Sequence, residues 1–159
     1  MDRYASFTSS PLGKVLVRNL GLPDPVALDR WHEGAPLVDG TVVTGGTGRL
    51  AGPVTASLDA LGIASTTTAV EGEKYKGLVF DATGIADSAG LVALQRFFKP
   101  LMRSLLPCSR VVVLGAVPEL LSGPGQVAQR ALEGFTRSLG KEIGRGSTVQ
   151  LVYVAEGAE

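Results

Sequence analysis

The chain carries no excess of charge of either sign, a single cysteine, a single histidine and no long apolar run. Lys plus Arg and Asp plus Glu number 15 each, so the basic footprint that grips a phosphate backbone is missing and no nucleic-acid partner is expected. The one cysteine, Cys108, can form neither an intrachain disulfide nor a Cys-rich metal site. Nothing marks the chain as secreted, and a cytoplasmic location is expected. The opening MDRYASFTSS lacks the apolar core of a signal peptide, and no later stretch approaches the roughly 20 apolar residues of a membrane span. No membrane partner is expected. The only histidine, His32, stands in Trp31-His32-Glu33-Gly34 without the cluster of ligands a metal needs, so a surface or structural role is expected there.

What the sequence does contain is 159 residues, 45% of them hydrophobic, enough for one domain with a sizeable core and not for two. Its glycines and prolines are spread between apolar runs, as short turns between regular elements require. Residues 1–40 form an N-terminal arm with two short helix candidates, entered through Ser10-Pro11 and Asp24-Pro25, good N-cap and first-turn pairs. From Thr41 to residue 155 short β-rich runs alternate with amphipathic stretches, the rhythm of an α/β domain. The pattern predicts strands over residues 41–44, 63–69, 78–80, 111–114 and 149–154. The run 111–114 is apolar throughout, as a strand buried on both faces should be.

Three helices fit between them. Leu50, Val54, Leu58 and Leu61 share one face, ended by Gly62. Leu91, Leu94, Phe98, Leu101 and Leu105 mark a second, which Pro100 is expected to kink. After a Gly123-Pro124-Gly125 turn, Ala128, Leu132, Phe135, Leu139 and Ile143 mark a third. The second and third strands are separated by only about eight residues, short of a complete crossover, so the second strand is expected to be shorter than its run.

The turn Thr44-Gly45-Gly46-Thr47-Gly48-Arg49-Leu50 lies between a strand and a helix, where glycines let backbone N–H groups approach a phosphate. Its spacing is not G-x-G-x-x-G, and a tight turn alone would also call for glycine.

Four segments in order, TGGTGRL, LVFDATGI, RVVVLGAV and ALEGFTRSLGKEIGRG, resemble short-chain dehydrogenase/reductases. The fourth is similar to the helix that follows the active site in 3-oxoacyl-ACP reductases. The resemblance implies a Rossmann-like domain, and it also places Gly125 where that family has its catalytic tyrosine, Gln129 at the lysine and Ala116 at the serine. The tyrosine is the family's general acid and the lysine lowers its pKa; glycine has no ionisable group and glutamine no charge. Arg49 and Ala51 stand at the second and third fingerprint glycines, and Asp81-Ala82-Thr83 replaces the usual Asn-Asn-Ala.

The stretch between the Gly-rich turn and DATG has room for one strand where the family has two. That truncates the adenosine side and turns the order 3-2-1-4-5-6 into the flavodoxin-like 2-1-3-4-5. The expected fold is therefore a doubly wound, five-stranded parallel α/β sheet in that order, with a helical arm. More narrowly, the chain resembles the N-terminal half of bacterial high-molecular-weight 3-oxoacyl-ACP reductases, including LGLPDPVALDRWHEGAPLVDG at their start. In those, a flavodoxin-like domain precedes an intact NAD(H)-dependent ketoreductase domain; residues 156–159 would begin the linker to it.

What the resemblance implies is a non-catalytic structural and interaction domain. It would hold no cofactor itself, leave NAD(P)H to the catalytic domain of a parent that reduces 3-oxoacyl thioesters, and have that ketoreductase domain and further copies of itself as partners. The helices over residues 91–105 and 128–143 would form the contact, with Val92, Phe97 and Met102 outside the core stripe. A different class of function, a nucleotide or flavin binder, would use the loops after strands 1 and 3: Gly45, Gly46, Thr47, Gly48, Asp81, Thr83 and Gly84. A third, a small enzyme of its own kind, would have Asp81 as its acid, although a strand-end Asp is also an ordinary loop acceptor.

Overall fold

In the computed structural model, which describes residues 7, 8, 10–20 and 26–158 apart from the side chains of Lys14 and Arg18, five strands form one sheet. They are β1 (Val42–Gly46), β2 (Ser65–Thr66), β3 (Tyr75–Asp81), β4 (Leu105–Ala116) and β5 (Thr148–Val154). Every neighbouring pair is parallel and the order is β2-β1-β3-β4-β5, the flavodoxin-like order expected. The helices are α1 (Pro11–Leu20), α2 (Ala51–Ala60), α3 (Val92–Leu101) and α4 (Gly123–Ile143).

Register decides what each face carries, because partnered residues on parallel strands point the same way. Val43, Leu78, Val111 and Val149 align in one row, and Gly45, Phe80, Val113 and Leu151 in the next. This face packs on α3 and α4, and Leu78, Phe80, Val111 and Val113 are at most 3% exposed. Rings of Phe80, Phe97, Phe98 and Phe135 fill the space between sheet and helices at centroid distances of 5.0 to 5.7 Å. The opposite face carries Thr44, Val79, Val112, Leu114 and Val152, and α2 lies on its β1–β2 side, so the sheet is doubly wound.

Several boundaries differ from the sequence reading. The helix expected to reach Leu105 stops at Leu101, one residue beyond Pro100, which supplies no N–H and crowds the preceding turn. A single 3-10 turn follows, and Leu105 already opens β4. That strand starts irregularly: Leu105 pairs with Tyr75 and Arg110 with Gly77, leaving residues 106–109 opposite Lys76 alone. Cys108, in this bulge, has a left-handed backbone with φ 55.

The Gly123-Pro124-Gly125 turn is the first turn of α4, since Pro124 near a helix start gives up an N–H that would have no partner. β2 spans only Ser65–Thr66, shorter than the run 63–69. Residues 67–74 then reach β3 without a helix, pinned where the Tyr75 hydroxyl accepts the Val70 N–H at 2.7 Å.

In the arm, α1 begins at Pro11 as expected, with Ser10 Oγ accepting the Gly13 N–H at 3.0 Å. The entry expected at Asp24-Pro25 lies outside the described residues, but residues 26–40 contain no helix. They run instead as a strap along the start of β3 and β4, because its groups are engaged there. Asp29 pairs with Lys76 at 2.5 Å, and its N–H meets Cys108 Sγ at 3.4 Å. Among the described residues no helix is long and apolar enough to cross a membrane.

Candidate functional site

The carboxyl ends of β1 and β3 bring together all seven residues named for a ligand loop. Gly46 pairs with Asp81 across the two strands and has φ 108; a side chain there would collide with the Asp81 backbone. Gly48 packs on the side chains of Asp81 and Thr83, and Gly84 on the Thr47 carbonyl. The loops are thus in contact with each other.

Asp81, 2% exposed, is what fills the space between them. Its Oδ2 accepts the Leu50 N–H at 2.7 Å, directly before α2. Its Oδ1 accepts the Thr83 N–H at 3.0 Å and the Thr83 hydroxyl at 2.6 Å, and Thr83 Oγ1 in turn accepts the Arg49 N–H at 3.1 Å. The Asp81 carbonyl takes the Thr47 N–H at 3.3 Å. A helix N-terminus attracts an anion through its aligned dipoles and exposed N–H groups. Here the anion is the chain's own carboxylate, so a ligand phosphate would have to displace it and approach against like charge.

The three positions where the resemblance implies catalytic residues also converge. Gln129 is fully buried: Oε1 accepts the Ala116 N–H at 2.9 Å, and Nε2 donates to the carbonyls of Ala82 (2.8 Å) and Ile85 (2.9 Å). Both amide hydrogens are used, and the side chain ties the end of β4 and the loop after β3 to α4. Gly125 lies one turn earlier on α4 and is half-buried.

Tyr153 extends the cluster, its hydroxyl 3.0 Å from the Gln129 carbonyl and 3.3 Å from Glu133 Oε1. Burial, then the Glu133 carboxylate, raise its pKa above the ordinary phenol value. Glu133 is held below the usual carboxylate range, first by its hydrogen bond from Arg130. Arg130 also pairs with Glu119 in the 3-10 turn that follows β4.

Two cavities adjoin these elements. One, of about 300 Å³, lies between α2 and the sheet against Thr44, Gly46, Val54, Thr67, Val79 and Asp81. The other, an apolar groove of about 510 Å³, runs between α3 and α4 over Leu94, Phe98, Met102 and Phe135, with Lys99 and Glu142 on its rims.

Of the side chains expected outside the core stripe, Val92 is 45% exposed and Met102 lines that groove. Phe97 differs: its ring turns inward to Phe80 and Phe98, into room that exists because Gly45 has no side chain. Phe80, the aromatic nearest the loops, packs in the same cluster and cannot sandwich a flavin ring. His32 is exposed, with Nδ1 3.1 Å from the Glu33 carbonyl. Among the described residues no three His, Cys, Asp or Glu side chains lie together as metal ligands would.

Of the two roles the sequence offers Asp81, acid and loop acceptor, the structure displays the second, its carboxylate accepting three hydrogen bonds. The clamping role of Gln129 was missed, and its signal was a lone amide beside the apolar stripe at Ala128 and Leu132.

No protein-family model matches the chain, and none of the curated proteins is similar to it in sequence. Among solved structures it is similar to the one described as "Crystal structure of BdcA in complex with NADPH", with 16% identity over 75% of this chain and 71% of that chain, at a TM-score of 0.45.

Proposed function

We propose that this domain performs no oxidoreduction and serves as a structural and interaction module. It would act beside a ketoreductase domain of the kind found in the 3-oxoacyl-thioester reductases its sequence resembles, with NAD(P)H held by that partner. The observation that carries this reading is the Asp81 carboxylate on the N-terminus of α2, bonded to Leu50 N at 2.7 Å, where a dinucleotide's phosphates would sit. Gln129 supports it, since its amide is fully engaged in holding Ala82, Ile85 and Ala116.

Calorimetric titration with NADPH, alongside turnover of a 3-oxoacyl thioester, tests it. The expected result is no saturable heat and no enzyme-dependent oxidation. A dissociation constant near 1 μM, about −8 kcal/mol, would overturn the reading. The favoured contact surface is the α3–α4 groove, offered to a second copy: a two-fold axis along it would set Lys99 of each copy against Glu142 of the other. Lys99→Glu should then weaken the dimer seen by light scattering, and the added Glu142→Lys restore it. A monomer at every concentration would rule that contact out.

A flavin or nucleotide in the cavity beside Thr44 and Val79 is the second reading, favoured by the meeting of both loops there. At about 300 Å³ this space is at the small end of ligand sites. Quenching of FMN fluorescence by the protein would support it.

A further inference from the structure

Across β3, β4 and β5 the sheet is covered on one side only. Leu78, Phe80, Val111 and Val113, facing α3 and α4, are at most 3% exposed, while Val79, Val112, Leu114 and Ala116, their neighbours on the other face, are only half-buried and Val152 is 44% exposed. α2, the helix packed on that second face, sits over β1 and β2 and reaches only the near edge of β3, where Val79 lines the cavity beneath it. The open patch is apolar in its centre, with Arg110, Thr148 and Gln150 at its amino-terminal end.

The size of the patch selects its occupant. Three strands about 4.8 Å apart, with roughly 3.3 Å per residue from Val112 to Ala116, give an area on the order of 200 Å² with side-chain width included. A stable interface between two copies buries about 800 Å² on each, several times more than the patch offers. A ten-residue helix, about 15 Å long and 10 Å across, matches it.

α1 is such a helix. Leu12, Val15, Leu16 and Leu20 recur at helical spacing on one side, and they are 69, 56, 36 and 66% exposed. It is also tethered within reach. Val26 and Leu28 lie against Gly146 and Cys108, beside the starts of β4 and β5, and Asp29 pins the strap there through Lys76 and Cys108. The link from Leu20 to Val26 can span up to about 20 Å. From Cys108 to Val112 along the strand is only about 13 Å. So short a tether holds the helix at millimolar effective concentration.

We propose that α1 is a tethered cover that docks its Leu12, Val15, Leu16 and Leu20 stripe onto the Val79, Val112, Leu114 and Val152 face of the sheet. The inference does not rest on the functional reading above, since it uses only the two exposed apolar surfaces and the strap between them.

Paired cysteines test it, with Cys108, 3% exposed, left in place. Under mild oxidation the Leu16→Cys/Val152→Cys protein should form an intramolecular disulfide, which requires Cα atoms within about 7 Å. Leu16→Cys/Arg137→Cys, whose second site is on α4 across the sheet, should not. As a second readout, trypsin should cut after Lys14 and Arg18 at least tenfold faster in Val152→Asp, a change at an exposed site, than in the unaltered chain. Equal cleavage together with no intramolecular disulfide overturns the proposal. So does an intermolecular Leu16–Val152 disulfide in a protein that light scattering finds dimeric, because the occupant would then be a second copy.

Discussion

Replacing Asp81 with alanine removes the acceptor for Leu50 N–H, Thr83 N–H and the Thr83 hydroxyl in one step. The side chain is 2% exposed, so water cannot fully take over those bonds. Losing a helix cap costs about 1 kcal/mol. A donor left unsatisfied in the interior adds about 1–3 kcal/mol. The loss of an anion from a partly buried helix terminus adds up to about 2 kcal/mol. These terms overlap, and relaxation of Thr83 recovers some of them, so the expected destabilisation is about 3 kcal/mol.

Asp81→Asn should cost less, about 2 kcal/mol, because its one carbonyl oxygen can serve Thr83 or Leu50 and its NH2 must then face the other donor. Urea unfolding followed by far-UV circular dichroism measures both. With the carboxylate gone, the N-terminus of α2 is open to an external anion, so phosphate at ten times its dissociation constant should return about 1.4 kcal/mol to the alanine variant and nothing to the unaltered protein. A loss below about 0.5 kcal/mol, the level of an ordinary surface substitution, would refute the assignment of Asp81 as the internal anion.

Gln129→Leu keeps the volume but strands the Ala116 N–H and the carbonyls of Ala82 and Ile85; at about 1–3 kcal/mol each, with partial relaxation, the variant should lose about 4 kcal/mol. Thermal melting should then fall by roughly 10 °C, and a melt unchanged within error would show that these bonds are not needed. Glu133 should titrate below the ordinary carboxylate range in a pH series followed by NMR, and Arg130→Ala should move it upward. Because its folded pKa is the lower one, the stability it adds is present above the unfolded carboxylate value and is lost as pH falls through the folded one. The group is exposed, so added salt should shrink the effect.

The order of the sheet could be read before any coordinates because it depends on how many strands fit between the Gly-rich turn and DATG, a matter of length. The strand at 111–114 was equally plain, although its burial on both faces was not met: Val111 and Val113 are buried, while Val112 and Leu114, on the face that α3 and α4 do not cover, are half-buried. The first part of β4 was not, because Leu105 continues the spacing of Leu94, Phe98 and Leu101 and so reads as one more helical turn. Only the helix stop after Pro100 and the pairing of Leu105 with Tyr75 separate the two. Phe97 was hidden for a related reason: adjacent Phe97 and Phe98 cannot both lie on one helical stripe, and what admits the first is missing bulk on another element, at Gly45. At the site, residue types and their meeting point were legible, but the partner of each polar group was not. Asp81 as a candidate acid and Asp81 as a helix cap are the same letter in sequence, and only the approach of Leu50 N decides between them.

The distribution of backbone strain bears on what the two ends of the sheet do. Binding sites of doubly wound sheets lie at the carboxyl ends of the strands, and strained non-glycine residues gather at functional sites. Here the left-handed residues at the carboxyl ends are glycines, Gly46, Gly123 and Gly157, where the conformation costs little, whereas the two described non-glycine residues with positive φ, Cys108 and Arg145, are both at the opposite end. They are joined there, Cys108 N–H donating to the Arg145 carbonyl at 2.9 Å while the Arg145 guanidinium reaches the Leu105 carbonyl at 2.7 Å. The turned backbone of Cys108 presents its thiol to the strap, accepting the Asp29 N–H and lying 3.7 Å from the Ala27 carbonyl. The strain therefore falls where the arm is anchored. That placement puts the costly backbone at the anchor of the arm and leaves the carboxyl ends, where Asp81 ties the loops together, free of it.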